Sequence, residues 1–177
     1  DEVRELVKEL ERINKEDRDK SRENFKRNAD IAKEVEDNLE RNEEENRKVE
    51  EEVRKVLRDN SPSKVIRELE EDWKRLIKES EDDLRRMLKR WEELIEESRK
   101  DSEDSLRALE RLLEEIARAG LEEDLLRDAK RKIDENKEEN ERLLKESRKL
   151  LERVRKRAEE LLRKSRKALE DLKEEAK

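Results

Sequence analysis

The sequence predicts an all-α fold: a single-chain antiparallel three-helix bundle, up-down-up, with left-handed coiled-coil packing. Three observations predict it. Helix breakers are limited to one Gly and one Pro in 177 residues. The two interruptions they mark divide the chain into three nearly equal segments. Within those segments, core-type residues recur at heptad spacing, as in helices that pack side by side.

The first interruption is Asp59-Asn60-Ser61-Pro62-Ser63. Ser61 can cap the following helix through its side-chain oxygen, and Pro62 suits the first helical position, where a missing N–H loses nothing. The second is Ala119-Gly120-Leu121-Glu122, where Gly120 can take the left-handed conformation that ends a helix. Helices are therefore expected near 2–59, 62–118 and 121–176, together forming one domain over 1–177. At 1.5 Å per residue each would be roughly 85 Å long. Short connections make consecutive helices antiparallel.

In the first segment Val7, Asn14, Ser21, Asn28, Val35, Asn42, Val49 and Val56 repeat every seven residues, and Val3, Leu10, Asp17, Asn24, Ile31 and Asn38 form the companion series. Phe25, Ala32, Leu39, Asn46 and Val53 widen the stripe, as a helix with two neighbours requires. The third segment widens its stripe with leucine doublets at 143–144, 150–151 and 161–162.

Asn, Ser and Asp interrupt that seam, and an up-down-up bundle gives a test of why. Layer-mates on the first and second helices should have residue numbers of constant sum, and those on the first and third a constant difference. With both constants set at 119, Asp17 falls with Ser102 and Asn136, and Ser21 with Ser98 and Asn140. Asn28 falls with Trp91 and Ser147, Asn46 with Trp73 and Ser165, and Asn14 with Ser105 and Ile133. Apolar residues also meet apolar ones, as in Val35–Leu84–Val154, Phe25–Leu94–Leu144, Val7–Leu112–Leu126 and Val53–Ile66–Leu172. A buried amide or hydroxyl without a partner costs about 1–3 kcal/mol, so buried polar residues should come in groups. Both tryptophans fall in layers that supply an acceptor for an indole N–H. Such layers disfavour a heptad slip, which would set Asn against Leu.

Composition narrows the functional classes. Charged residues make up 59% of the chain, 56 acids against 49 bases for a net charge of −7, and the signs are interspersed. That distribution lacks the basic face of a nucleic-acid binder. No run approaches 18 apolar residues, so no transmembrane span is expected, and Asp1-Glu2-Val3-Arg4 does not read as a signal peptide. Cys and His are absent, along with Gln, Thr and Tyr. Without His the common metal ligand and general base are missing. Ser21, Ser98 and Ser102 therefore have no base to form a nucleophilic triad, and the Glu-x-x-His motif of di-iron bundles does not occur. No Gly-rich phosphate loop occurs either. Asp17 is the one acid on the seam, and its Ser and Asn neighbours suit hydrogen bonding better than metal binding. Trp73 and Trp91 are eighteen residues apart and share a helix face, which suits core packing better than an aromatic ligand platform. Catalytic, metal and cofactor sites are thus all expected to be absent.

The restricted alphabet, the idealised helix ends, the equal segments and the Asn/Ser/Trp layers together resemble de novo designed helical bundles with buried hydrogen-bond networks. The resemblance covers the whole chain and implies an engineered scaffold with no natural substrate, cofactor or obligatory partner, folding as a monomer. Spectrin-like repeats are also three-helix coiled coils with tryptophans, but their helices are much shorter. Two further readings stand beside the scaffold. One is an interaction module, self-associating or accepting a fourth helix, which would need an outer apolar stripe built from Leu57, Val65, Leu76, Leu113 and Leu162. The other is a natural rod or spacer, against which the missing residue types count.

Overall fold

The computed structural model describes residues 1–175, and among them forms three helices: α1 (Glu2–Arg58), α2 (Ser63–Arg118) and α3 (Glu123–Glu175). The expected ends at 2 and 118 coincide with these, and those at 59, 62 and 121 differ by one or two residues; residue 176, the expected end of the third helix, lies outside the described residues. No helix contains Gly, and Pro62 stands just before α2. Acids occupy the first turns of α1 and α3, and Lys or Arg the last turns of all three, which complements the helix dipole.

Both turns close in the same way. After α1, Ser61 N donates to Val56 O at 3.2 Å and Asn60 N to Leu57 O at 3.3 Å. After α2, Leu121 N donates to Ile116 O at 3.4 Å and Gly120 N to Ala117 O at 3.3 Å. These are paired six-to-one and five-to-two bonds, a Schellman ending that satisfies carbonyls left over by the last helical turn. The residue it places in the left-handed region is Gly120 at φ 90° in one turn and Asn60 at φ 51° in the other. Asn is the side chain that best tolerates this region after Gly.

The contacts divide the chain into two compact units, each holding part of every helix: Asp1–Asp30 with Glu92–Leu150, and Ile31–Trp91 with Leu151 onward. In the first unit Leu10 of α1, Leu109 and Ile116 of α2 and Ile133 of α3 form an apolar cluster, flanked by the expected layer Val7–Leu112–Leu126. In the second, Val53, Trp73, Ile77, Leu169 and Leu172 do the same. Each fully buried Leu or Ile contributes about 1.5–3 kcal/mol relative to exposure.

Directions follow from cross-helix pairs within the second unit. Asn46 meets Trp73 while Asn38 meets Met87, so α1 and α2 are antiparallel. Glu36 meets Arg153 and Glu40 meets Arg157, so α1 and α3 are parallel. The chain is an up-down-up three-helix bundle.

One detail differs from a strict heptad seam. The buried positions of α1 are Leu10, Asp17, Asn28 and Val35, and then Ala32, Leu39, Asn46 and Val53. The last four belong to the series expected only to widen the stripe, while Asn42, Val49 and Val56 are half-buried. A fixed seven-residue repeat drifts about 20° per heptad around an ideal helix, so a long stripe must change series to stay on one side.

Candidate functional site

The densest polar cluster lies in the first unit, around Asp17. Asn136 and Asn140 stand one turn apart on α3, on the same face. Both aim their amides at the same carboxylate oxygen: Asn136 Nδ2 donates to Asp17 Oδ2 at 2.9 Å and Asn140 Nδ2 at 2.8 Å. Asn140 Nδ2 also donates to Ser102 Oγ at 2.8 Å, which brings α2 into the network. Asp17, Asn136 and Asn140 are buried, and Ser102 is half-buried. The separation of Asp17 and Asn136 is the 119 residues read from the sequence. Asn140 departs from the grouping that placed it with Ser21 and Ser98, because it bonds one layer down. Helical side chains lean toward the N-terminus of their own helix, so on antiparallel α2 and α3 Ser102 and Asn140 lean toward each other, which brings Asn140 within reach of the Ser102 level. Three oxygens here, Asn14 Oδ1, Asn136 Oδ1 and Asn140 Oδ1, are buried without a hydrogen-bond partner among the described residues.

A second network lies in the other unit. Trp73 is fully buried, and its Nε1 donates to Asn46 Oδ1 at 2.8 Å. Asn46 Nδ2 donates to Asn42 O at 2.7 Å, and Asn42 Nδ2 to Asn38 Oδ1 at 2.9 Å. Asn38 Nδ2 then reaches Met87 Sδ at 3.5 Å, a weak acceptor. Ser165, assigned to this layer, is buried. Of the corresponding residues eighteen positions away, Asn28, Trp91 and Ser147 are all buried, and Asn28 Nδ2 donates to Asn24 O at 2.9 Å.

Four more residues of the expected polar core, Asn14, Ser21, Ser98 and Ser105, are half-buried. Ser98 turns its hydroxyl back onto Leu94 O at 2.8 Å. A groove of about 420 Å³ between α2 and α3, floored by α1, leaves Ser21, Ser98 and Ser102 accessible together with Phe25, Leu106 and Leu144. The small side chains at Ser98, Ser102 and Ser147 leave this volume open.

Sequence reasoning missed three features. Ser80 is buried, yet the numbering places it with Leu39 and Ala158, so no polar neighbour signalled it. Glu139, with a side chain only 12% exposed, receives Arg22 Nε at 2.7 Å and Arg18 Nε at 2.8 Å. The Arg22 guanidinium, helped by Arg18 and opposed by burial, holds the Glu139 carboxyl below its ordinary value. The separations from Glu139, 117 and 121, bracket 119, so the numbering rule could have found this pair. Glu81, 15% exposed, sits between Arg166 and Arg85.

Chemically, these groups orient one another: the Asn136 and Asn140 amide donors are satisfied, while their Oδ1 acceptors are not. Asp17, the buried acid of the network, already accepts two amides on one oxygen, and no residue in its network is a stronger base. Among the described residues no group of three or more His, Cys, Asp or Glu side chains could hold a metal ion. Among the described residues no helix is long and apolar enough to cross a membrane. The candidates for an outer stripe, Leu57, Leu76, Leu113 and Leu162, are half-buried, and Val65 is 39% exposed.

No protein-family model matches the sequence, and no curated protein matches it significantly. Among solved structures, the chain is similar in fold to a computationally designed three helix bundle, at 22% identity and a TM-score of 0.55, over 99% of this chain and 93% of that one.

Proposed function

We propose that this chain is an engineered structural scaffold without enzymatic activity, in which buried polar layers fix the register and direction of three long helices. It acts as a monomer and needs no cofactor or partner. The observation that carries this reading is the Asp17–Asn136–Asn140–Ser102 network, which ties one residue or more from each helix into a single set of hydrogen bonds. In this register its two amide donors meet the Asp17 carboxylate and the Ser102 hydroxyl. Buried polar groups tolerate one register and penalise others, while the surrounding Leu, Ile and Val supply stability.

The test replaces Asp17, Asn136 and Asn140 together by Leu and compares amide NMR spectra with the parent. The parent should give one set of resonances and the all-leucine layer several, as slipped registers become populated. A single unchanged register in the leucine variant refutes the specifying role. Light scattering should return a mass near 21.6 kDa across a concentration series. A multiple of that mass replaces the scaffold reading with that of an interaction module.

A further inference from the structure

We infer that the groove between α2 and α3 is a binding site for a neutral, mainly apolar small molecule bearing one hydroxyl, of the aromatic-alcohol class. Its volume, about 420 Å³, falls within the range of small-molecule sites. The walls carry the apolar side chains Phe25, Ile95, Leu106, Leu143 and Leu144, which lie beside serines rather than beneath closed packing.

The hydrogen bonds already made decide which polar group the groove accepts. Ser98 spends its hydroxyl proton on Leu94 O, so its oxygen presents lone pairs. One turn along the same face, Ser102 Oγ accepts from Asn140 Nδ2, so its own O–H remains to donate. An acceptor and a donor separated by one helical turn match a group that both donates and accepts, as a hydroxyl does. Charge selects neutrality. Arg99, Arg107 and Lys137 line the groove together with Glu103, Glu110 and Glu141, and Arg99 is already paired with Glu103 and Glu96. Three positive and three negative side chains leave no net attraction for an anion or a cation.

The probe is 2-naphthol, titrated by calorimetry and by amide NMR of the full chain, with naphthalene and 2-naphthalenesulfonate as comparisons. Expected is saturable one-to-one binding, with shifts centred on Ser21, Ser98, Ser102 and Ser147. Naphthalene should bind about five- to a hundredfold more weakly, the worth of the two net hydrogen bonds that the hydroxyl makes, and the sulfonate should gain nothing from its charge. Two variants fill the groove from different helices, Ser98→Phe on α2 and Ser21→Leu on α1. Each should weaken 2-naphthol binding at least about tenfold while circular dichroism reports an unchanged helical fold. Non-saturable binding, shifts centred elsewhere, equal affinity for naphthalene, or full-strength binding by either folded variant overturns the proposal.

Discussion

Replacing Asp17 by Leu removes the one acceptor shared by two buried amides. Asn136 Nδ2 loses its bond of 2.9 Å, and Asn140 Nδ2 keeps only Ser102 Oγ at 2.8 Å. Hydrogen bonds to a charged group contribute about 1.5–3 kcal/mol each, and a stranded buried donor costs about 1–3 kcal/mol. Against this stands the release of a carboxylate that is 5% exposed from its desolvated site. The losses win, because two donors are affected and only one of them retains a partner. The expected net destabilisation is about 2–4 kcal/mol. Asn136 and Asn140 each carry an unpartnered Oδ1, so deleting those amides as well removes costs that the native chain already bears. The triple variant Asp17→Leu/Asn136→Leu/Asn140→Leu should therefore recover all of the loss and exceed the parent by about 1–4 kcal/mol. The assay is guanidinium unfolding followed by circular dichroism, with midpoints compared at constant slope. A neutral Asp17→Leu, or a triple variant no more stable than the single one, refutes the network as the source of the energy.

Asn46→Leu should destabilise by about 1–3 kcal/mol in the same assay, because it strands the fully buried Trp73 indole N–H; a red shift of tryptophan emission would accompany any opening to water. Gly120→Ala should cost about 1–2 kcal/mol: φ of 90° is strained for a side chain, although nothing lies within 4 Å of the added Cβ. Asn60→Gly at the matching turn should raise stability by up to about 1 kcal/mol. For Glu139 the folded-state pKa is depressed, chiefly by the Arg22 guanidinium. The stability this contributes is present above the unfolded-state pKa and is lost as pH falls through the folded-state value. Glu139→Gln should thus be less stable than the parent at neutral pH, with the gap closing in acid below the ordinary glutamate range; a pH-independent gap contradicts the ion pair as its source.

Much of this fold was legible because its determinants are local. Gly120 and Pro62 punctuate the helices, and each segment's side-chain repeat sets its packed face. One offset of 119 then follows from equal helix lengths and short turns. It placed Trp73 opposite Asn46 and Asn136 opposite Asp17, as their hydrogen bonds now require. Asn60 in the left-handed region was less legible, since Asn is common within α1 itself and the turn was marked by Ser61 and Pro62 after it. The partnering of Asn140 was hidden for a different reason. Counting residues assigns a level to its Cα, whereas the direction of the side chain sets the level at which it bonds.

The offset rule also explains which residues escape a reading by core type. It was applied to residues on the seams, and Glu139 with Arg18 and Arg22 lies at the seam's flank, where charged side chains read as solvated surface. Their separations nevertheless straddle the same constant, because a long guanidinium reaches about one half-turn in either direction. Arg153–Glu36 also has a separation of 117, and Arg157–Glu40 repeats it four residues on. The α1–α3 flank therefore carries ion pairs at separations of 117 and 121, within two residues of the 119 between Asp17 and Asn136, and on the proposed reading both sets favour one register. A heptad slip would have to break both sets together, so removing the buried network alone should leave part of the register preference in place. The part that remains should weaken with added salt, because the ion pairs on this flank involve exposed arginines whose attraction is screened. In the leucine-layer variant, new resonances should accordingly grow as sodium chloride is raised, while the parent spectrum stays unchanged; salt-independent populations would assign the register to the buried amides alone.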